Sequence, residues 1–240
     1  MQNQKQLYCF THAGGDASFF DNIKSSLPGI EVISLDYAGH GSRCDEDFYP
    51  DFASLADDLF EQIKTRIKGE YALLGYSMGS ISAVEVLERI LDSDIARPKH
   101  IFLAAHEPHT KSELLGFKEE EADEWVKRRT IEFGAIPERL WKNKVFWRVY
   151  LPLYRADYTV IAKYEFEKLD LKTDIPATFF YSETDTPRED MDLWKQFFIG
   201  ECDYYQFEGN HFFINQHLDE ITKIINEKLL SGRINEQDGR

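Results

Sequence analysis

Cysteine is scarce: Cys9, Cys44 and Cys202 are the only three in 240 residues. They are odd in number, far apart and without C-x-x-C spacing, which excludes a disulfide framework and a zinc site built on cysteine pairs. A reducing, cytoplasmic setting is expected. Cys9 falls in a predicted strand and reads as a small buried apolar residue, not as a nucleophile. Long apolar runs are missing too. None approaches about 18 residues, so no membrane span is expected. The start, Met1-Gln2-Asn3-Gln4-Lys5, leads straight into Leu7-Tyr8-Cys9-Phe10 without the longer apolar stretch and small-residue cleavage site of a secretion signal. Positive charge is also in short supply, with 28 Lys and Arg against 43 Asp and Glu and a formal net charge of −15. That balance argues against nucleic acid as a partner, because phosphate backbones are bound through clustered Lys and Arg. The richest local exception is Lys127-Arg128-Arg129 followed by Arg139, Lys142, Lys144 and Arg148. It reads either as a patch for an acidic partner or as a solvated helix face.

What is present is an ordinary globular composition, 42% hydrophobic, in a chain long enough for one sizeable domain. Short β-rich runs recur at 6–10, 31–35, 71–74, 100–104, 177–181 and 203–207, with helix-length stretches between most of them. The pattern predicts an α/β fold with a doubly wound, mostly parallel sheet. Leu55, Leu59, Ile63 and Ile67 have helical spacing, with Asp51 or Ser54 as the cap, and Leu218, Ile221, Ile224, Ile225 and Leu229 mark a last amphipathic helix. One domain is expected over 1–230, followed by a polar tail at 231–240. Residues 110–172 separate two predicted strands by far more than one crossover helix requires. This stretch opens with Glu119-Glu120-Glu121 and carries Trp125, Phe133, Trp141, Phe146, Trp147, Tyr150, Leu151, Leu153 and Tyr154. Placed after the fourth strand, at the carboxyl edge where α/β sites lie, it reads as a helical lid, or else as helices that extend the core.

Gly75-Tyr76-Ser77-Met78-Gly79 fits the G-x-S-x-G turn that presents a serine as a nucleophile. Chance alone would produce such a match in roughly one chain in ten of this length, at about 7% usage of each residue. Its context adds weight. Tyr71-Ala72-Leu73-Leu74 is a strand-length apolar run, and Ala83, Val84, Leu87, Ile90 and Leu91 fall on one helical face. Strand, tight turn and helix are therefore expected, with small residues at 75 and 79 because a Cβ there would collide with its neighbours.

A serine hydroxyl needs a base to take its proton and an acid to hold that base in the right tautomer. Of seven histidines, His211 is favoured, since Glu208-Gly209-Asn210-His211 follows the strand Tyr204-Tyr205-Gln206-Phe207 and precedes the final helix. His12 and His40 flank glycine turns and are candidates to line the site, and His106 is the one other histidine of interest. For the acid, Asp185 follows the strand Ala177-Thr178-Phe179-Phe180-Tyr181, giving the chain order Ser, Asp, His of α/β-hydrolases. Glu107, Asp190 and Asp192 are its rivals. The oxyanion requires two donors. The backbone N–H of Met78 is one, and Thr11-His12-Ala13-Gly14-Gly15 suggests Ala13 N–H as the other, unless that glycine pair only turns the chain.

With these pieces in order, the sequence resembles the type II thioesterases, the freestanding editing enzymes of nonribosomal peptide and polyketide synthases. The resemblance runs nearly end to end and rests on Phe10-Thr11-His12-Ala13-Gly14-Gly15 with Ser18-Phe19-Phe20, Asp36-Tyr37-Ala38-Gly39-His40-Gly41-Ser42-Arg43, the turn at Ser77, Gly209-Asn210-His211-Phe212-Phe213, and Leu151-Pro152-Leu153-Tyr154-Arg155-Ala156-Asp157-Tyr158. The family usually has proline at Thr11, often histidine at Tyr76, and glycine at Ser182. Ala104-Ala105-His106-Glu107-Pro108 also lacks arginines common there. The resemblance implies an α/β-hydrolase fold and hydrolysis of acyl thioesters on the phosphopantetheine arm of acyl or peptidyl carrier proteins, through Ser77, His211 and Asp185. It implies no metal and no cofactor of the enzyme's own, carrier domains as partners, and a monomer. A small-molecule carboxylesterase or lipase, an acyltransferase, and a non-catalytic synthase-binding scaffold are the alternatives.

Overall fold

The computed structural model describes residues 5–108, 117–118 and 122–230. Glu119-Glu120-Glu121, His109 and the polar tail at 231–240 lie outside the described residues. Six strands, β1 (Lys5–Phe10), β2 (Ile30–Leu35), β3 (Tyr71–Tyr76), β4 (His100–Ala104), β5 (Ala177–Tyr181) and β6 (Cys202–Gln206), form one sheet in the order β2-β1-β3-β4-β5-β6. Every neighbouring pair is parallel. All six coincide with the expected runs to within two residues. The four inner strands, buried on both faces, read as near-continuous apolar stretches, while the edge strands β2 and β6 are only partly buried.

The sheet is covered on both sides. On one face, α2 (Phe52–Lys64) and α3 (Met78–Leu91) pack Leu55, Leu59, Ile63, Val84 and Leu87 against Tyr8, Phe10 and Leu73. On the other, α1 (Asp21–Ser26) and α7 (Leu218–Leu230) pack Ile23, Ile221 and Ile225 against Leu7, Cys9, Leu74 and Tyr76. The alternation of β1 side chains between these two clusters is the period-2 rule of a strand. Asp51 caps α2, its carboxylate accepting from Ser54 N–H at 2.8 Å, which settles the choice between the two expected caps and contributes about 1 kcal/mol.

The β4–β5 connection carries α4 (Ala122–Glu132) and α5 (Lys144–Lys163). Asn143 caps α5 by accepting from the N–H groups of Val145 and Phe146. Pro152 sits inside α5, where it can donate nothing to the Arg148 carbonyl and its ring crowds that carbonyl. The helix changes character there. Before the proline it exposes Val145, Val149 and Tyr150; after it, Tyr154, Asp157, Tyr158 and Ile161 are buried. The β5–β6 connection is tighter than a full crossover helix: α6 (Arg188–Met191) has four residues and continues as a 3₁₀ turn over Asp192–Gln196, anchored by the fully buried Trp194.

Among the described residues, no helix is long and apolar enough to cross a membrane.

Candidate active site

Ser77 lies between β3 and α3 with φ 55° and ψ −123°, a backbone conformation that a residue with a side chain rarely adopts. It is held there by its surroundings. Its N–H donates to the Ala104 carbonyl at 2.8 Å, and its carbonyl accepts from Ser80 N–H at 2.7 Å. The Ser80 hydroxyl, in turn, donates to Gly75 O and Ala104 O. The two glycines are required by close approach: a Cβ on Gly75 would stand 2.3 Å from Gly79 O, and one on Gly79 would stand 1.9 Å from Phe10 O.

The other expected residues converge on this turn. His211 Nε2 lies 2.8 Å from Ser77 Oγ, and its Nδ1 faces both Asp185 oxygens at 2.9 and 3.0 Å. All three groups sit at the carboxyl ends of β3, β5 and β6. Asp185 is presented by a tight turn in which its N–H donates to Ser182 O at 3.0 Å. The histidine and acid loops are tied together: the hydroxyls of Ser182 and Thr184 both donate to Gly209 O, at 2.6 and 2.7 Å. Ser182 is thus more than a tolerated departure from glycine. Tyr76, another departure, is fully buried and donates to the His211 carbonyl. Burial holds its hydroxyl well above the usual phenol range, so it stays a donor. The rival acids are placed elsewhere. Asp192 pairs with Arg188 at 3.1 Å and Lys195 at 3.0 Å, and Glu107 is buried beyond β4.

Ala13 and Ser77 line the same narrow cavity of about 20 Å³, together with His106, Trp125, Arg129, Phe133, Tyr158, Ile161 and His211. Met78 opens α3, where first-turn N–H groups have no intrahelical acceptor and are available to an anion. His12 stays beside the Ala13 loop, its Nδ1 2.9 Å from Ala13 O, and burial lowers its pKa to about 4, so it is neutral at physiological pH. Neither His12 nor His40 is among the residues lining the cavity, and His40 faces Asp157 instead.

The cavity is closed by α4, α5 and the segment between them. Phe133 stacks on the His211 ring at 4.3 Å, and the Arg129 guanidinium lies 4.0 Å over Phe133. Trp125 and Tyr158 meet edge to face at 5.1 Å. Of these, Trp125 and Phe133 were expected only as packing residues and Arg129 only as part of a basic run. Asp157 was missed as a site residue altogether. Its signal was present: one carboxylate among Tyr154, Tyr158 and Ile161 on an otherwise apolar helix face demands a buried partner.

The basic segment divides in two. Lys127, Arg128 and Arg129 each have a carboxylate of their own helix within 4.0 Å. Arg139, Lys142, Lys144 and Arg148 form no ion pair with another described residue.

A parallel sheet of this order, with a strained serine between its third strand and the following helix, defines an α/β-hydrolase. The profile of the thioesterase domain matches residues 5–229, so the chain belongs to the thioesterase family and is a thioester hydrolase. A probable cadicidin biosynthesis thioesterase of Streptomyces griseus is 29% identical over 93% of this chain, which spans only 62% of that protein. The medium-chain S-acyl fatty acid synthase thioesterase of Homo sapiens is 29% identical over 95% of this chain and 85% of its own. The solved structure of BorB, the type II thioesterase from the borrelidin biosynthetic cluster, aligns at a TM-score of 0.81 and 27% identity, covering 95% of this chain and 94% of that one. These findings bear out the resemblance to type II thioesterases.

Proposed function

We propose that the enzyme hydrolyses acyl thioesters carried on the phosphopantetheine arm of acyl or peptidyl carrier proteins, by way of an acyl-serine at Ser77. The observation that carries this reading is the continuous hydrogen-bonded line from Ser77 Oγ through the His211 ring to Asp185. In the acylation half, His211 Nε2 takes the hydroxyl proton as Oγ attacks the thioester carbonyl, then returns it to the departing thiol. Water enters in the second half, is deprotonated by the same nitrogen, and releases the free acid. Asp185, across Nδ1, orients the ring and stabilises the imidazolium formed in each half. The amides of Met78 and Ala13 stabilise each tetrahedral oxyanion.

The arm arrives with the carrier, so this reading assigns the enzyme no cofactor of its own. A cavity of about 20 Å³ holds no more than a water, so α4 and α5 act as a lid that must move to admit an acyl chain. Carrier recognition falls to the outer face of α5, where Lys144 and Arg148 flank the exposed Val145 and Val149. The relatives' names span cadicidin biosynthesis and fatty acid synthase, so the acyl group is best found by a panel.

The test is to incubate the enzyme with carriers loaded with aminoacyl, short-chain and medium-chain groups and to follow intact mass. Loss of the acyl mass from some loads, absent with Ser77→Ala, is expected, and Arg148→Glu should raise KM for carriers but not for a small thioester. Hydrolysis that survives Ser77→Ala, or a strong preference for oxoesters over every loaded carrier, would overturn the reading.

A further inference from the structure

Asp157 belongs to α5, yet its carboxylate reaches into the loop after β1. Oδ2 accepts from Gly14 N–H at 2.6 Å and faces His40 Nε2 at 3.1 Å. The other ring nitrogen of His40 lies 3.1 Å from Ala38 O. Both ring nitrogens thus face acceptors, the arrangement an imidazolium requires. The pair is buried, with side-chain exposures of 1% for His40 and 7% for Asp157. Burial disfavours the charged ring, but Asp157, the Ala38 carbonyl and Asp36 together outweigh it and hold the His40 pKa above its usual value.

One helical turn before Asp157, Tyr154 lies against the same residue. A Cβ on Gly14 would stand 2.1 Å from the Tyr154 ring, and Gly14 has φ +73°, so only glycine fits beneath it. Residues 154 and 157 lie on one helix face and hold Gly14 from two sides: the ring packs on its Cα and the carboxylate takes its N–H. Gly14 directly follows Ala13. On the strand side, the Tyr37 hydroxyl donates to Thr11 O at 2.9 Å and fixes the loop's entry.

We propose that Asp157 is a positioning residue that sets the Ala13 amide through Gly14, so that the oxyanion site is complete only when α5 is seated on the loop. This deepens the assignment of Ala13 above and rests on it. Seating α5 then does two things at once: it closes the cavity and aims a donor. A thioester bound under an unseated helix meets Met78 N–H alone.

Three variants test this with a small acyl thioester, an alkyl boronic acid that forms a tetrahedral adduct on serine, and the free acid product. Asp157→Ala should lower kcat and boronate affinity by the same factor, about 10- to 100-fold, with KM and acid affinity within about twofold; complete removal of an oxyanion donor costs about 10²–10³. Asp157→Asn retains an acceptor for Gly14 N–H and should recover to within about fivefold of wild type. If the stranded His40 charge prevents Asp157→Ala from folding, His40→Leu/Asp157→Leu removes both charges and should show the same paired loss. An unchanged boronate affinity, a loss confined to KM, or equal loss in the asparagine and alanine variants would overturn the proposal. Failure of the parent reading looks different: the wild-type enzyme would form no boronate adduct at Ser77.

Discussion

Gly79→Ala adds one methyl group to the first turn of α3, and its consequence can be worked from the geometry. The new Cβ would lie 1.9 Å from the Phe10 carbonyl oxygen, 2.5 Å from its carbon and 2.8 Å from Thr11 O. Cβ contacts stay outside 3.0 Å, so helix and strand end must separate by about 1.1 Å, and both partners are backbone rather than a side chain that can swing away. The strain falls on the two halves of the proposed oxyanion site. Met78 immediately precedes Gly79, and Ala13 is three residues beyond Phe10. A misplacement of about 1 Å costs about 10²-fold in rate, and overpacking of this kind costs about 1–3 kcal/mol of stability. For a chain of this size that lowers Tm by about 2–12 °C. Gly29→Ala is the control: a Cβ there meets nothing within 4 Å, and its φ of +92° makes it a strained site remote from the chemistry. The assay is release of thiol from a small acyl thioester, with the folded fraction measured by circular dichroism. Gly79→Ala should lose about two orders of magnitude in kcat and bind boronate correspondingly worse, while Gly29→Ala loses stability alone. A folded Gly79→Ala enzyme within about threefold of wild-type kcat would refute the claim that this contact sets the oxyanion geometry.

Two further outcomes are expected. Phe133→Ala removes the ring stacked on His211 and one wall of the cavity, so the preferred acyl chain should lengthen in a chain-length series, with kcat on short chains falling up to about tenfold for the lost stack; an unchanged chain preference would count against Phe133 as a wall. Burial lowers both His12 and His100 to about 4, so the unfolded chain binds more protons than the folded one between about pH 6.5 and 4, and stability should fall as pH drops through that window. His40 has the opposite sign, its stabilisation being complete below about pH 6.5 and lost as pH rises through its raised folded value. Urea titrations across pH 4.5–8.5 should therefore show His100→Leu flattening the acid limb and His40→Leu the alkaline one.

The strands, the long helices α2, α3 and α7, and the line from Ser77 to Asp185 could be read from the chain because each is written locally. An apolar run of five or six residues, a 3.6-residue period and the residue just after a strand are all visible without knowing what lies opposite. What lay hidden depends on partners distant in sequence. Asp157 meets Gly14 across 143 residues, and nothing near either one names the other. Pro152 within α5 breaks the usual rule that proline ends a helix, and the mostly 3₁₀ crossover around Trp194 carries no helical period to detect. The basic run was visible as charge, but its division into paired and unpaired halves rests on carboxylates of α4 that only the folded helix brings within reach.

The two hydroxyls that share Gly209 O have a consequence for motion. Ser182 and Thr184 precede Asp185 by three residues and one residue, and Gly209 precedes His211 by two, so these bonds bracket Asp185 and His211 in one small unit. Displacements of the β5 and β6 loops are therefore shared displacements. In the proposed opening, the segment that carries Phe133 swings away to admit an acyl chain, and the imidazole then loses its stacked neighbour but keeps its carboxylate. The contact between Nδ1 and Asp185 survives such an opening, and only the distance to Ser77 has to be found again when the site closes.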